Sequence, residues 1–481
     1  MFADENVIKI KHEVLYRVAK AAFDGELEEK RDHLPFEIIP GPTPQFRCCV
    51  YKEREIIRQR IRLVEGKAPG SVDDGNIMQV ISSACEDCPI SSYVVTDNCQ
   101  NCLGKACINA CRFGAITAGE TRSKIDPVKC KECGMCAKSC PYNAIAYLKR
   151  PCKSACPVDA ITYDENGISI IDEKKCIRCG LCIHRCPFGA IGSKTFIIDV
   201  INAIKSDKHV YAMLAPATEG QFGESITMES WRNAVKKVGF DEFVEVGLGG
   251  DMTTASEGDE WAEAYKEGKK KTTSCCPAFV NMVRKHYPEL IDNVSTTVSP
   301  MCAVSRMIKA KDPDAYTVFI GPCISKKSEA AEHNIEGNAD AVLTYSEIRA
   351  IMRAKNVELE PAENTYQESS VYGKRFGNAG GVTNSVLQYL KETDQEMEAT
   401  VFKANGAAEC KKGLLLLRSG KLPEDFMEGM VCEGGCVGGP SSYEEQLKAR
   451  KARDKLIDKA DSRLISENLT NYDLDSFSMH R

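Results

Sequence analysis

The sequence has 481 residues, of which 43% are hydrophobic and 27% charged, and its net charge is -6. This balance is that of a globular protein long enough for about three domains, and it gives no reason to expect nucleic acid or an anionic membrane as a partner. No apolar run approaches the ~20 residues that a membrane helix needs. The charged first residues resemble neither a secretory nor a transit signal, so the sequence predicts a cytoplasmic protein.

Residues 1–78 are predicted to form a helical extension. The segments HEVLYRVAKAAF and YKEREIIRQRIRLVEGK carry apolar residues at three- and four-residue steps, as one face of a helix does. The segment PFEIIPGPTPQF between them contains four prolines and is predicted to be a loop. Cys48 and Cys49 have no ligand spacing around them, and we expect them to be buried packing residues.

Residues 79–193 contain 16 of the 25 cysteines. In a small secreted chain such a number would indicate disulfides, but many of these cysteines are separated by two intervening residues, which is a spacing of metal ligands. Two segments, CKECGMCAKSCP and CIRCGLCIHRCP, have the complete pattern C-x2-C-x2-C-x3-C-P that holds [4Fe–4S] clusters in bacterial ferredoxins. The pattern predicts two tandem α+β ferredoxin-like modules that carry electrons. Zinc is a much weaker explanation.

The same spacing predicts which cysteines share a cluster. In this motif three thiolates reach one cluster, and the fourth, before proline, reaches the neighbouring one. This crossing rule predicts three clusters: Cys99, Cys102 and Cys107 with Cys140; Cys130, Cys133 and Cys136 with Cys111; and Cys176, Cys179 and Cys182 with Cys156. The cysteines that remain are assigned to a fourth cluster: Cys85, Cys88, Cys152 and Cys186. In the alternative, Cys85 and Cys88 are free and only three clusters form.

Residues 194–440 are predicted to form an α/β domain. Apolar runs rich in strand-forming residues, such as EFVEVG and YTVFIGPC, alternate here with helical patterns such as AVLTYSEIRAIMRA. This alternation is typical of layered α/β folds. Residues 441–481 are charged and helical in pattern, and we expect this tail to pack on the outside.

Three more cysteine motifs lie in the α/β region, far apart in sequence: TSCCPAF, GPCISKKSE and CEGGCVGGP. Behind ferredoxin-type repeats and in this order, they resemble the signature stretches of the [FeFe]-hydrogenases, in particular the monomeric group often called group B. The resemblance covers residues 79–440. It implies an α/β catalytic domain of the iron-only hydrogenase type, preceded by the two ferredoxin-like modules and the N-terminal helical extension.

The resemblance also implies an active centre in which a [4Fe–4S] cube is joined by one thiolate to a di-iron unit with CO, cyanide and an azadithiolate bridge. Its cube ligands map to Cys276, Cys323, Cys432 and Cys436, with Cys436 as the bridging thiolate. Adjacent side chains point in different directions, so Cys275 and Cys276 are expected to have different roles. By the resemblance, Cys275 is free and exchanges a proton with the bridging amine.

Further residues take roles by the same resemblance. The outward proton path maps to Glu257, Glu260 and Ser295, although a lone Glu on a helix is usually a surface charge. Lys326 is expected to donate hydrogen bonds to a cyanide, and Lys327 to lie on the surface.

The wall of the cofactor pocket departs from the common pattern at Gly321, where most of the family has methionine. We expect Met301 to point at the di-iron site and to occupy the volume that Gly321 leaves. Cys302 and Cys410 match no ligand position and are expected to be packing residues. The cofactor-binding positions implied by the resemblance are Pro216, Ser299, Met301, Pro322, Gly380 and Gly381.

The sequence thus favours an enzyme that interconverts protons and H2, with electrons relayed through four accessory clusters to or from ferredoxin. In the family, separate maturation proteins supply the di-iron unit. A second hypothesis is a non-catalytic electron-transfer or iron–sulfur assembly protein related to hydrogenases. A third, a hydrogen sensor, is disfavoured because we see no signalling segment in the sequence.

Overall fold

The computed structural model of the chain describes residues 5–71, 73–85, 88, 93–332, 335–395 and 397–481. Across these ranges, no helix combines the length and the apolar character needed to cross a membrane. The residues around Cys88, which are 86, 87 and 89–92, lie outside the described part.

The N-terminal segment is helical, as its periodicity predicts. Its helices are α1 (Glu5–Asp24), α2 (Leu27–Lys30), α3 (Leu34–Ile38) and α4 (Val50–Val64). Helices α1 and α4 bury their apolar faces in one core with the α/β domain, where Val18 and Ile61 join Trp231. Helix α3 lies inside the segment predicted to be a loop, so that prediction is wrong there. Pro35 occupies its first turn, where no backbone N–H is needed.

Cys48 and Cys49 precede α4. Both are exposed, so the prediction that they are buried packing residues is wrong. The apolar residues buried in this segment come from the helices on either side, including Leu34 and Val50.

Residues 78–193 form two small α+β modules. Their elements are β1 (Met78–Val80), α5 (Ser82–Cys85), β2 (Tyr93–Val95), α6 (Ala106–Asn109), β3 (Ile116–Thr117), β4 (Lys124–Ile125), α7 (Met135–Ser139), β5 (Ile145–Tyr147), α8 (Pro151–Ala155), β6 (Ile161–Tyr163), β7 (Ser169–Ile171), α9 (Leu181–Arg185) and β8 (Ile191–Ser193). In the first module β2 pairs with β5 and β3 with β4, all antiparallel. In the second β6 pairs with β7, and β1 pairs with β8 although the whole first module lies between them in sequence.

The two complete cysteine motifs share one local conformation. In each, a glycine follows the second cysteine, and these glycines, Gly134 and Gly180, have φ of 75° and 80°. Glycine adopts this left-handed conformation without steric cost, and the short helices α7 and α9 begin at the next residue.

Residues 197–438 form the α/β domain. Its helices are α10 (Ile197–Ile204), α11 (Met228–Val238), α12 (Val246–Lys266), α13 (Pro277–His286), α14 (Pro300–Lys311), α15 (Ser325–Ala330), α16 (Tyr345–Ala354), α17 (Val371–Arg375), α18 (Gly381–Glu392) and α19 (Ala407–Arg418), with 3-10 turns at Pro216–Thr218, Pro288–Asn293 and Cys436–Gly438. Its strands are β9 (Val210–Leu214), β10 (Glu242–Glu245), β11 (Lys271–Thr272), β12 (Tyr316–Ile320), β13 (Ala341–Leu343), β14 (Val401–Asn405) and β15 (Phe426–Met430).

Two parallel sheets organise this domain. The first has the strand order β10-β9-β12-β13 and the second the order β11-β15-β14, and all their strand pairs are parallel. The central strands are almost fully buried apolar runs, as expected of parallel strands covered by helices on their faces. The α/β class predicted for this region is therefore confirmed.

The tail packs over the α/β domain. It contains α20 (Gln446–Ile457), α21 (Ile465–Leu469) and a 3-10 turn at Leu474–Ser476. Arg453 of α20 is fully buried and donates hydrogen bonds to the Lys374 carbonyl and the Asn378 side chain. The last residues return to the domain, where His480 forms an antiparallel bridge with Thr297.

Candidate active site

The loops that carry the predicted ligands leave the carboxyl ends of parallel strands. Strand β9 leads into Pro216, β11 into Cys276, β12 into Cys323 and β15 into Cys432. The carboxyl ends of parallel strands open at one edge of a sheet, where α/β proteins commonly bind their ligands. The two sheets therefore bring together cysteines that are far apart in sequence.

These loops enclose a cavity of about 90 Å³, lined by Cys275 and by all four predicted cube ligands, Cys276, Cys323, Cys432 and Cys436. Burial and the neighbouring thiols raise the pKa of Cys323 to about 12 and that of Cys436 to about 11. Thiols that face one another in such a cavity keep their protons unless a metal replaces them. The donor set fits an iron–sulfur cluster, because its irons bind cysteine thiolates.

The cavity wall near Gly321 includes the methionine predicted to face the site. Met301 lines the cavity together with Phe319 and Pro322, so it faces the predicted cofactor site. A Cβ atom added at Gly321 would lie 2.8 Å from the Cβ of Ala215 and 2.9 Å from the Phe319 ring, so these two side chains occupy the space closest to Gly321. That Met301 fills the rest of the volume left by Gly321 stays a prediction. Residues two apart on a strand share one face, so the Phe319 ring lies next to Gly321.

Three predicted cofactor contacts, Ser299, Gly380 and Gly381, are not part of the described cavity lining. Ser299 instead caps α14 with its hydroxyl, and Gly380 starts α18 with φ of 80°. Gly377 lines the cavity in place of these glycines. Its carbonyl oxygen accepts a hydrogen bond from the Cys436 N–H at 2.7 Å, which fixes the loop of the predicted bridging cysteine.

Lys326 brings a positive charge to the cavity wall, whose lining also includes the predicted contact Pro216. Its Nζ contacts Glu329 Oε2 at 2.5 Å and donates to the Cys275 carbonyl oxygen at 3.5 Å. Burial opposes the charge, but Glu329 and the neighbouring thiols raise the pKa of Lys326 above its ordinary value. The residue is thus a charged donor at the cavity, where the resemblance expects one that binds an anionic ligand.

Lys327 is fully buried, so the prediction that it lies on the surface is wrong. Its Nζ contacts Glu347 Oε1 at 2.5 Å and donates to the Lys194 carbonyl oxygen at 2.9 Å. Both partners lie on distant segments of the chain, and they supply the carboxylate and the carbonyl oxygen that a buried ammonium requires as acceptors.

Glu257 and Cys275 form the buried end of the predicted proton path. Glu257 Oε1 accepts the Ser274 N–H at 3.0 Å, and Oε2 is buried without a hydrogen-bond partner among the described residues. Burial and, less strongly, the charge of Glu260 raise the pKa of Glu257 to about 8. Burial likewise raises the pKa of Cys275 well above its ordinary value. Both groups therefore hold a proton close to neutral pH.

Glu260 lies one turn further along α12, towards the surface. It accepts the Thr296 N–H at 3.1 Å and a hydrogen bond from the Thr297 hydroxyl at 3.5 Å. The Ser295 hydroxyl faces the carboxylate of Glu257 and favours its ionised form. Three consecutive hydroxyl residues thus line the path between the two carboxylates. Thr296 and Thr297 carried no signal in the sequence, because hydroxyl side chains are common everywhere.

Three of the predicted accessory sites each surround one small cavity. These cavities, of about 20, 10 and 20 Å³, are lined respectively by Cys99, Cys102, Cys107 and Cys140; by Cys111, Cys130, Cys133 and Cys136; and by Cys156, Cys176, Cys179 and Cys182. Among the described residues, no three His, Cys, Asp or Glu side chains are arranged as ligands of a single metal ion. The grouping of the cysteines follows the crossing rule, with one cysteine of each set contributed by the other motif of its module.

The four remaining cysteines also lie close together. The Cys85 thiol donates to the Ser169 hydroxyl at 3.4 Å, and the Cys152 sulfur lies 3.8 Å from the same oxygen. Burial raises the pKa of Cys88 to about 11, and Cys186, Cys85 and Cys152 add to this shift. The neighbourhood of these thiols supports the assignment of a fourth site.

Two domain families match the chain. The family described as "Iron only hydrogenase large subunit, C-terminal domain" matches residues 208–440, and the family "4Fe-4S binding domain" matches residues 123–146 and 169–192. The chain is an [FeFe]-hydrogenase-like protein. Its ferredoxin-like modules and its hydrogenase-type α/β domain thus follow one another in the predicted order, and the matches support iron–sulfur clusters in both.

Proteins similar to this [FeFe]-hydrogenase-like chain differ in their roles. Iron hydrogenase 1 of Clostridium pasteurianum is 28% identical, across 66% of this chain and 65% of that protein. The cytosolic Fe-S cluster assembly factor NAR1 of Kluyveromyces lactis is 22% identical, across 37% of this chain and 53% of that one. A solved structure of [FeFe]-hydrogenase HydA1 from Chlamydomonas reinhardtii has a TM-score of 0.47 and 23% identity, across 56% of this chain and 91% of that chain.

These matches span about half to two thirds of the length of the two curated relatives. Because the relatives include both a hydrogenase and an assembly factor, the likeness alone assigns no activity to this hydrogenase-like chain. The activity has to be argued from the cavity.

The assignment of the fourth accessory site to this hydrogenase-like protein leads to a prediction about iron content. Four accessory clusters, the cube and a di-iron unit sum to about 22 irons per chain. Replacing Cys85 and Cys88 together by alanine is expected to remove about four of them, as measured by iron analysis and paramagnetic resonance. Replacing the exposed Cys48 and Cys49 is the control and should remove none. An unchanged iron content in Cys85→Ala/Cys88→Ala would leave this pair without a ligand role.

Proposed function

We propose that this protein catalyses the reversible conversion of H2 to two protons and two electrons. The observation that carries the proposal is that Cys275 and Lys326 line the same cavity as the four predicted cube ligands. A protein that only binds a cube requires neither a free thiol nor a charged lysine at its edge. Cys276, Cys323, Cys432 and Cys436 would hold a [4Fe–4S] cube, and Cys436 would also hold a di-iron unit that carries CO, cyanide and azadithiolate. When bound, it would supply the metal site at which H2 is formed or split.

The protein's own residues would move the protons. Cys275 holds a proton at the cavity wall because burial raises its pKa. Glu257, which lies close enough to influence that thiol, takes the proton up or returns it. Glu260 continues the path towards solvent through the hydroxyl groups of residues 295–297. Such positioned acid–base groups typically contribute ~10²–10⁴-fold to the rate.

The electrons would pass through four accessory [4Fe–4S] clusters in the ferredoxin-like modules. Cys133 of the first module is exposed, so the path would reach the surface there. We assign a ferredoxin or a similar one-electron carrier as the partner at this surface, and maturation proteins as the source of the di-iron unit. The cytoplasmic location remains a prediction from the sequence.

The likeness to NAR1 favours a second candidate function. In it, the chain binds iron–sulfur clusters for electron transfer or cluster assembly and holds no di-iron unit. Cys275 and Lys326 would then have no chemical task in the cavity, and the buried Glu257 would have no proton to transfer.

Infrared spectroscopy separates the two functions. Protein supplied with maturation proteins is expected to show bands of iron-bound CO and cyanide, and to evolve and consume H2. Cys410→Ala is the control that should keep both properties, because Cys410 is a buried cysteine that is absent from the cavity lining. Protein that loads its iron–sulfur clusters under the same conditions, yet shows neither bands nor H2 turnover, would support the non-catalytic function.

A further inference from the structure

The end of the tail lies on the outer part of the predicted proton path. Residues 479–481 run antiparallel to residues 296–298, with the Val298 N–H donating to the Met479 carbonyl at 2.8 Å and the Arg481 N–H to the Thr296 carbonyl at 2.9 Å. Arg306 Nη1 donates to the His480 carbonyl at 2.8 Å. Backbone pairing and an arginine therefore hold this segment in place.

This pairing sets the His480 ring against Glu260. Its Nδ1 lies 2.8 Å from the Thr296 hydroxyl oxygen and 3.4 Å from Glu260 Oε1. The Glu260 side chain is 14% exposed, whereas the His480 side chain is 54% exposed. The imidazole thus stands between a nearly buried carboxylate and the solvent.

The Arg481 side chain of the same segment makes its contacts with residues other than Glu260. The Arg481 guanidinium donates to the Ser274 carbonyl at 3.0 Å and lies 4.0 Å from Glu329. Among the described side chains, Glu260 is the carboxylate that lies within 4 Å of the His480 ring. The imidazole therefore has the Glu260 carboxylate on its inner side and solvent on its outer side.

We propose that His480 is the residue that exchanges protons between the relay and the solvent. An imidazole suits this task because one ring nitrogen accepts a proton while the other donates one. In the inward direction, Nε2 takes a proton from water or buffer, and Nδ1 gives one to Glu260, directly or through the Thr296 hydroxyl. The ring returns to its starting form when its hydrogen moves back to Nδ1, and the outward direction is the reverse. This inference rests on the proposed hydrogenase function.

The test compares His480→Gln with His209→Gln. Glutamine keeps a hydrogen-bonding side chain at position 480 but cannot carry a proton. His209 is a matched control, because its Nδ1 lies 2.8 Å from the Asp312 carboxylate, its side chain is 44% exposed, and it is absent from the cavity lining. In matured protein at low buffer concentration, His480→Gln is expected to lower H2 turnover by at least about tenfold. Added imidazole should restore it, and His209→Gln should match the unchanged protein.

A second readout does not depend on activity. The chain has seven histidines, so selective ¹⁵N-histidine labelling gives a small set of resonances in protein without the di-iron unit. The His480 resonance, identified by its loss in His480→Gln, is expected to shift in Glu260→Gln, while the His209 resonance stays in place. An unshifted His480 resonance would show that the two side chains do not interact in solution and would overturn the inference.

The remaining outcomes are also decisive. Full turnover in His480→Gln overturns the inference and leaves the proposed function intact. A loss of turnover that imidazole does not restore also overturns it, because His480 would then only hold the tail in place. If matured unchanged protein shows neither CO bands nor turnover, the proposed function itself fails.

Discussion

Replacing Cys275 by alanine is expected to lower H2 turnover by at least about 100-fold, the effect typical of removing a positioned acid–base group, while iron content stays unchanged. Cys275 lines the cavity beside the predicted ligands. Burial raises the pKa of this thiol well above its ordinary value, so it carries a proton at neutral pH. Alanine is expected to remove the proposed proton carrier but no ligand, because the predicted cube ligand in this pair is the neighbouring Cys276.

Iron analysis and the infrared bands of matured Cys275→Ala test the clusters, and H2 evolution and uptake test the relay. Cys302→Ala is the matched control, because Cys302 is also a buried cysteine but packs in the apolar core around α14. The roles of the adjacent pair would be reversed if Cys275→Ala lost the cube while Cys276→Ala kept it.

The buried charge cluster at Lys374 is expected to be the most sensitive point of the fold. Lys374 Nζ lies 3.0 Å from Glu219 Oε1 and 3.2 Å from Glu245 Oε1, and all three side chains are at most 3% exposed. Glu219 follows the cavity-wall turn at Pro216–Thr218, and Glu245 immediately precedes α12. Lys374→Met leaves two carboxylates buried without their cation, which we expect to destabilise the protein by about 3–5 kcal/mol.

Thermal unfolding of the iron-loaded protein under anaerobic conditions measures this effect. Lys237→Met is the control, because its pair with Glu360 is exposed, at 54% and 72% of the two side chains. Exposed pairs contribute only about 0–1 kcal/mol, so the control should unfold close to the unchanged protein. If Lys374→Met unfolded with the control, the two glutamates would have to be neutral in the folded state.

Local patterns in the sequence predicted much of this architecture. Amphipathic periodicity predicted α1 and α4, because the spacing of apolar residues on a helix is fixed by its geometry. The cysteine spacing predicted the sets that surround three accessory cavities, because the tight motif directs three thiols to one site and the fourth to its neighbour. The residues that line the hydrogenase-type cavity could be predicted only through the resemblance, because its cysteines come from three loops that are distant in sequence.

Contacts between distant segments could not be predicted. The burial of Lys327 depends on Glu347 and on the carbonyl of Lys194. The motif around Lys327 contains neither partner, so the local sequence predicts an exposed polar segment. The position of His480 depends in the same way on Thr296, a residue 184 positions earlier in the sequence whose backbone pairs with the tail. The sequence also could not predict that the Phe319 ring lies beside Gly321, because a strand pattern does not specify the orientation of a ring.

The pairing of β1 with β8 shows how such a chain could have grown. Strand β1 and Cys85 belong spatially to the second ferredoxin-like module but precede the first in sequence. The first module therefore has the architecture of an insertion, and its ends meet, because Tyr93 and Tyr147 are directly paired. Chains tolerate insertions at sites where the two ends lie close together. Residues 93–147 could therefore be exchanged for another cluster-binding unit without breaking the pairing of β1 with β8 or altering the α/β domain.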